Sequence, residues 1–371
     1  MKITVVLGAF FPVPPTMGGA VEKAWFALAH EFASRGHEVT MVSRAMPALP
    51  REEFTRGIRH LRVAGFDTPR SLIWLKLLDL VYSLRARRIL PRADILVTNT
   101  FWLPLLVRDS QRGNIYVHVG RYPKGQMRFY KRAARLQAPS SEIAEAIARE
   151  APSLRARTIA IPYPGPPANA AEPSFHAREK IVLYVGRVHP EKGVHLLVEA
   201  FAGSELAGWK LVVTGSTETK YGGGGGEYAA RLRDLAGNAD VEFHGPIFDQ
   251  AQLQQQYSRA RIFLYPSLAV HGETFGLAPL EAMSHACAVI VSSLACFREF
   301  IIPGQTGFVF SENTAESLAG TLRSVIANES DLARVAEAGR HKSEEFSLPR
   351  VADRFLADFQ TVILHGERAD R

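Results

Sequence analysis

ITVVLGAFFPVPPTMGGAVEKAWFALAHEFASRGHEVTMVSR, residues 3–44, contains one complete copy of the unit from which this chain is built. ITVVLGAF (3–10) is a nearly continuous, β-branched apolar run, the pattern of a strand buried on both faces. Across AVEKAWFALAHEFASRGH the period lengthens. Trp25, Leu28, Ala29 and Phe32 share one helical face, and Gly36 supplies a C-terminal stop. HEVTMVSR (37–44) returns to strand character. A strand, a helix and a strand in this order predict two parallel strands joined by a crossover helix.

The rhythm continues through ADILVTNT (93–100) and NIYVHVGR (114–121). It resumes in KIVLYVGR (180–187), WKLVVTGS (209–216), DVEFHGP (240–246), ARIFLYPS (260–267) and AVIVSS (288–293). Between the two series lies IPYPGPPANAAEPSFHARE (161–179), rich in Pro, Ala and Gly and without periodicity, which reads as a linker. A chain of 371 residues also exceeds what one hydrophobic core usually spans. The expected fold class is therefore α/β, with two doubly wound parallel-sheet domains, 1–164 and 165–345. A closing helix over 346–371 carries Ser347 as N-cap and Pro349 in its first turn. Two such domains facing one another would offer a central cleft at the carboxyl ends of both strand sets, where ligands of doubly wound sheets bind. The five glycines at 222–226 read as a mobile surface loop, because no Lys-Ser/Thr follows them as in a phosphate-cradling loop.

Composition narrows the function classes. Hydrophobic residues at 47% and charged residues at 22% describe a globular protein. Cys287 and Cys296 make no metal-ligand spacing and suit a reducing, cytoplasmic setting. Lys2 ahead of ITVVLGAFF imitates a secretory leader, but the run ends in FPVPPTMGG and passes into a helix, so a cleaved signal is not expected. No stretch reaches the ~20 apolar residues of a membrane span.

Charge is unevenly distributed. Residues 1–170 hold 25 Lys and Arg against 12 Asp and Glu, a balance of +13, and the remainder holds 19 against 25, or −6. SLIWLKLLDLVYSLRARRILPR (71–92) reads as a helix with Lys76, Asp79, Ser83 and Arg87 along a polar stripe. Two readings stay open for it. It packs on the sheet with that stripe in water, or its basic residues, with Arg128, Lys131, Arg132 and Arg135, attract anionic lipid. No nucleic-acid recognition pattern appears.

HGETFGLAPLEAM (271–283) sets two acids around a tight turn that opens a helix. Amides of Phe275, Gly276 and Leu277 would form an anion site at that helix start, and Glu273 and Glu281 would accept hydrogen bonds from sugar hydroxyls. An acid at a helix N-terminus also needs no ligand to be favourable, so Glu281 alone decides nothing.

E-x-F-G-x-x-x-x-E-A-M resembles the paired-glutamate motif of retaining GT-B glycosyltransferases, which use nucleotide-sugar donors. GRVHPEKGVHLLVEAF (186–201) resembles their Gly-Arg…Glu-Lys-Gly segment. PPTMGGAVEKAWFALAHEFASRGHEVT (14–40) resembles their N-terminal Gly-Gly loop and helix, and FSLPRVADRFLADF resembles their last helix. The resemblance implies two Rossmann-like domains and donor contacts from Gly18, Gly19, Arg187, Lys192, Glu273, Glu281 and the backbone of Gly245 and Ile247. Arg187 and Lys192 would hold the diphosphate, Glu281 the ribose and Glu273 the transferred sugar. His118 would stand near the reacting carbon, although a lone histidine in an apolar strand is commonly a satisfied core residue.

The activity so implied is hexose transfer from a UDP- or GDP-sugar to a saccharide, lipid-linked, in cell-envelope or exopolysaccharide synthesis. With no Asp-x-Asp motif, no metal or other cofactor is expected. A nucleotide-sugar epimerase or hydrolase of the same fold, or a silent nucleotide-sugar-binding homologue, are the alternatives.

Overall fold

The computed structural model describes residues 1–17, 19–69, 71–166 and 172–369, with Gly18 of the expected donor loop outside that set. The chain forms two compact units. One is Met1–Pro164 together with the closing segment from Leu348, and the other is Gly165–Ser347.

The N-terminal unit is built on β1 (Lys2–Val6), β2 (Glu38–Arg44), β3 (Glu52–Thr55), β4 (Ile58–Val63), β5 (Ile95–Thr98), β6 (Asn114–His118), β7 (Arg135–Ala138) and β8 (Thr158–Ala160). Their order is β3-β4-β2-β1-β5-β6-β7-β8. The run from β4 to β8 is parallel, with Val6 of β1 opposite Val42 of β2 and Thr98 of β5. The sheet is not wholly parallel, however. β3 folds back antiparallel on β4 through Arg56 and Gly57, both at positive φ (48° and 79°), the backbone that a two-residue hairpin turn demands.

One face of this sheet packs on the helix Ala20–Ser34 through Trp25, Leu28 and Phe32, the residues of the sequence periodicity. The same cluster is completed by Val351, Phe355, Phe359 and Val362 of the closing helix Leu348–Ala369. Asp358 of that helix is buried, and it accepts hydrogen bonds from Tyr116 Oη (2.9 Å) and the Arg135 guanidinium (2.6 Å). The start of the helix moves from the expected 346 to Leu348. Phe346 lies in the C-terminal unit, where its ring meets Phe275 and Phe300 at about 6 Å.

The helix Leu72–Ile89 is oriented against expectation. Asp79, Tyr82, Ser83 and Ala86 point inward, and the apolar side chains of its other face are in water. The cause is visible in the turn beside it: the Asp79 carboxylate accepts from the backbone amides of Phe101 (3.0 Å) and Trp102 (3.2 Å). Burial nevertheless pushes the Asp79 carboxyl up to about 6, against those amide bonds.

The C-terminal unit contains β9 (Glu179–Val185), β10 (Lys210–Thr214), β11 (Val241–His244), β12 (Ala260–Tyr265), β13 (Ala288–Ser292) and β14 (Phe308–Phe310), all parallel, in the order β11-β10-β9-β12-β13-β14. Strand order thus reverses between β9 and β12, the first and fourth strands of the unit. In doubly wound sheets that point, at the carboxyl ends of the strands, is where ligands bind.

Two expectations are corrected here. The glycine tract is an ordered turn. The amides of Gly222, Gly223, Gly224 and Gly225 donate in succession to Thr219, Glu218, Val188 and Thr217 carbonyls, and Gly225 then opens the helix Gly225–Ala236. The linker is also shorter than its composition suggested. Arg178 is buried and donates to the carbonyls of Ala260 and His285, while Glu172 accepts from Ser258 and His285, so residues from Glu172 onward belong to the C-terminal unit. Residues 167–171 lie outside the described set.

Candidate functional site

The two strands at the reversal deliver the charged residues. β9 ends at Val185 and runs into Gly186 and Arg187. After a turn at Pro190–Lys192, the helix Val194–Ala202 begins behind Gly193. β12 ends at Tyr265 and runs through Ser267 to Glu273. The helix Leu277–Ser284 then starts behind Gly276, whose φ of 91° turns the chain into it. The two loops are tied together: the Leu268 amide donates to the Glu191 carbonyl at 2.8 Å.

Lys192 Nζ donates to Glu273 Oε2 at 2.6 Å, with side chains only 7% and 11% exposed. Ser267 Oγ donates to the same oxygen at 3.1 Å, and Ser292 Oγ at the end of β13 donates to the Ser267 carbonyl at 2.6 Å. The ammonium also lies 5.6 Å from the centre of the Tyr265 ring, which stacks on Tyr184. Burial first, and then the charge of Glu273, pushes both of these phenols well above their ordinary range, so they stay neutral beside the carboxylate.

Arg187 sits further out, with a half-exposed side chain. Its guanidinium donates to the Gly222 carbonyl (3.0 Å) and to Glu191 Oε1 (2.6 Å). Burial works to raise the Glu191 carboxyl, but the hydrogen bond and charge of Arg187 prevail and hold it below the usual range. Both cations assigned from sequence are therefore already paired, Lys192 with Glu273 and Arg187 with Glu191. The ordered glycine turn is what aims Arg187.

The helix opens at Leu277 with no acid in its first turn, so Glu281 stands one turn further in than expected, where it accepts from Tyr257 Oη at 3.1 Å. Tyr257 is fully buried and stacks on His285, whose Nδ1 is 2.6 Å from Glu172. Tyr257, Ser267 and Glu191 were not singled out in the sequence. Only Glu191 carried a signal, its place four residues after Arg187. Removing the Tyr257 hydroxyl (Tyr257→Phe) is expected to cost about 1 kcal/mol in urea melts. Ligand affinity should fall several-fold at unchanged turnover, because Glu281 keeps its charge and loses only its orientation.

Phe275 is 1% exposed, backbone included, and packed against Phe300 and Phe346, so its ring anchors the turn; Leu277 is half-buried at the helix start. Gly245 is exposed and Ile247 half-buried in the loop after β11, at the edge of the sheet. Gly19 belongs to the N-terminal unit, at φ 93°, where a Cβ would stand 2.2 Å from Glu22 Oε2.

His118 is corrected by its surroundings. It is 3% exposed, with Nδ1 2.5 Å from Gln137 Oε1 and Nε2 2.9 Å from Tyr163 Oη. The Gln137 amide nitrogen donates to the carbonyls of Ala138 and Ile161, which leaves its oxygen to accept. Nδ1 thus carries the proton and Nε2 accepts from Tyr163. An imidazole so engaged offers no group to a ligand. Burial lowers its pKa to about 4 from 6.5, although the Gln137 bond opposes this. With the folded value below the unfolded one, the unfolded chain takes up a proton that the folded chain refuses. Stability is full above pH 6.5 and is lost as pH falls from there toward 4, by about 3 kcal/mol. In melting curves across that range, the advantage of wild type over His118→Gln is expected to shrink as pH drops.

Among the described residues there is no group of three or more His, Cys, Asp or Glu that could hold a metal ion, and no helix is long and apolar enough to cross a membrane.

Residues 167–342 match the family model described as Glycosyl transferases group 1. This region belongs to that family. The match covers the reversal of strand order and every charged residue described around it. A lipopolysaccharide core biosynthesis mannosyltransferase, LpcC, from Rhizobium leguminosarum bv. viciae is 30% identical over 185 residues, 48% of this chain and 50% of that protein. The capsular polysaccharide biosynthesis glycosyltransferase CapM from Staphylococcus aureus is 25% identical over 190 residues, 50% of this chain and 47% of its own length. The chain thus spans about half the length of these curated relatives.

Solved structures extend the likeness in fold to nearly the whole chain. Sucrose-phosphate synthase from Thermosynechococcus elongatus superposes with a TM-score of 0.76 at 20% identity, covering 98% of this chain and 100% of that one. Anabaena Alr3699/HepE in complex with UDP and glucose gives 0.73 at 19% identity, covering 97% and 99%. The fold is GT-B, as the sequence motifs implied.

Proposed function

We propose that this group 1 protein is a retaining, metal-independent glycosyltransferase. In this reading it moves a hexose from a UDP- or GDP-sugar to a saccharide acceptor, lipid-linked, in cell-envelope or exopolysaccharide synthesis. The observation that carries the reading is the buried Lys192–Glu273 pair, with Arg187 beside it, at the reversal of a six-stranded parallel sheet. The curated relatives, named for lipopolysaccharide and capsule synthesis, support the process. The neighbour bound to UDP and glucose supports the donor class.

Breaking a glycosyl-diphosphate bond places negative charge on the departing diphosphate. Groups already aimed at that charge help most, because they need not reorganise as it develops. Arg187 supplies a planar fork and Lys192 a compact ammonium. Since each is held by a carboxylate, an arriving diphosphate exchanges one anion for another: Glu191 gives way at Arg187, and Glu273 is freed toward the sugar. Glu281, oriented by Tyr257, is placed to accept ribose hydroxyls. In this reading Arg187 and Lys192, once released from their carboxylates, take up the charge that a metal ion would otherwise hold.

Thermal-shift screening of the whole chain against UDP-, GDP- and ADP-sugars tests the donor, because a bound ligand raises melting temperature by mass action. A shift with one nucleotide class that disappears in Lys192→Ala supports the reading. No shift with any of them rejects it. Product analysis then separates transfer to a saccharide from release to water or epimerisation.

A further inference from the structure

We infer that the outward face of the helix Leu72–Ile89 docks the N-terminal unit on an anionic bilayer surface. Ile73, Leu77, Val81 and Leu84 recur at helical spacing along that face and are 72%, 46%, 39% and 41% exposed; Trp74 beside them is 60% exposed. A water-facing helix ordinarily shows the reverse pattern. The inversion is enforced from within, since Asp79 must point inward to cap the Phe101 and Trp102 amides and the apolar stripe is carried to the opposite side.

Charge identifies the occupant. At 100° per residue, Arg88 falls within the stripe, Lys76 and Arg87 along one flank and Arg85 along the other. Arg87 also lines a cavity of about 430 Å³ with Arg108 and with Arg112, the last paired with Asp109 at 3.2 Å. Near the other end of the helix, the Trp102 indole donates to the Lys76 carbonyl, and the neighbouring Phe101 carbonyl accepts from Tyr130. That contact brings in Arg128 and Phe129, the latter 52% exposed. Apolar residues framed by arginines, with an aromatic at the edge, suit a helix lying in the headgroup plane of an acidic membrane. A helix of 18 residues is about 27 Å long and lies along such a surface without crossing it.

This inference does not depend on sugar transfer, and vesicle flotation of the full chain tests it with neither donor nor acceptor present. The expected result is flotation with phosphatidylglycerol-containing vesicles and none with phosphatidylcholine alone. Arg87→Glu with Arg88→Glu should lower binding at least about thirtyfold, at roughly fivefold per neutralised cation. Ile73→Ser with Leu77→Ser should lower it comparably. All four positions are exposed, so melting temperature should stay unchanged. A blue shift in tryptophan emission on vesicle addition should vanish in Trp74→Phe. Failure of the parent protein to float, or equal flotation with neutral vesicles, overturns the inference. So does a concentration-dependent dimer that Ile73→Ser with Leu77→Ser abolishes, since a second copy would then be the occupant.

Discussion

Glu273→Ala is expected to destabilise the protein by about 3–5 kcal/mol and to lower turnover by about 10²–10³-fold. The first effect follows from burial. The Lys192 side chain is 7% exposed, and its ammonium would be left without the carboxylate 2.6 Å away. A surface pair would lose less than about 1 kcal/mol. Removing both charges together, in Glu273→Ala with Lys192→Met, should restore most of the stability and none of the turnover. Urea melts of the two single variants and the double variant give the coupling directly. If Glu273→Ala were as stable as the parent, the pair would be screened by water, and the reading of this site as a preorganised anion receptor would fail with it.

The second large effect is expected at Gly193→Ala. Gly193 stands between the Lys192 turn and the following helix at φ 68°, and a Cβ there would lie 2.0 Å from the Pro266 carbonyl at the exit of β12. Left-handed backbone costs an alanine about 1–2 kcal/mol, and the displaced backbone adds about 1–3 kcal/mol. A fall in melting temperature of roughly 5–15 °C should result. Gly208 provides the control, because its φ is 74° and nothing lies within 4 Å of its Cβ position. Gly208→Ala should therefore show the backbone cost alone, about 1–2 kcal/mol. Equal losses at the two positions would mean that β12 gives way freely, and that the β9–β12 approach does not hold Lys192 and Glu273 in register.

Much of the fold could be read from the sequence wherever strands were long and apolar on both faces, as in ITVVLGAF and KIVLYVGR. The elements that escaped were short or irregular. β7, β8 and β14 have three or four residues, too few to show a period, and β3–β4 is a charged edge hairpin. The helix over 72–89 was found, but its facing was wrong, because periodicity reports which residues share a side and not which side is inward. That was decided by two backbone amides 22 and 23 residues further along the chain that needed Asp79. At the site, residue types and motif spacing located Arg187, Lys192, Glu273 and Glu281. They did not reveal that the two cations are already neutralised, since Lys192 and Glu273 are 81 residues apart. His118 erred for a similar reason: its partners Gln137 and Tyr163 come from other segments, and only folding shows that they use up both nitrogens.

Phe355 and Phe359, close to the end of the chain, complete the packing around Trp25 and Phe32, close to its beginning. During synthesis the first unit emerges with this part of its interior exposed, whereas the second unit is continuous in sequence and can finish folding earlier. The unit translated first is thus completed only once the helix Leu348–Ala369 has been made, and until then part of its hydrophobic interior stays open.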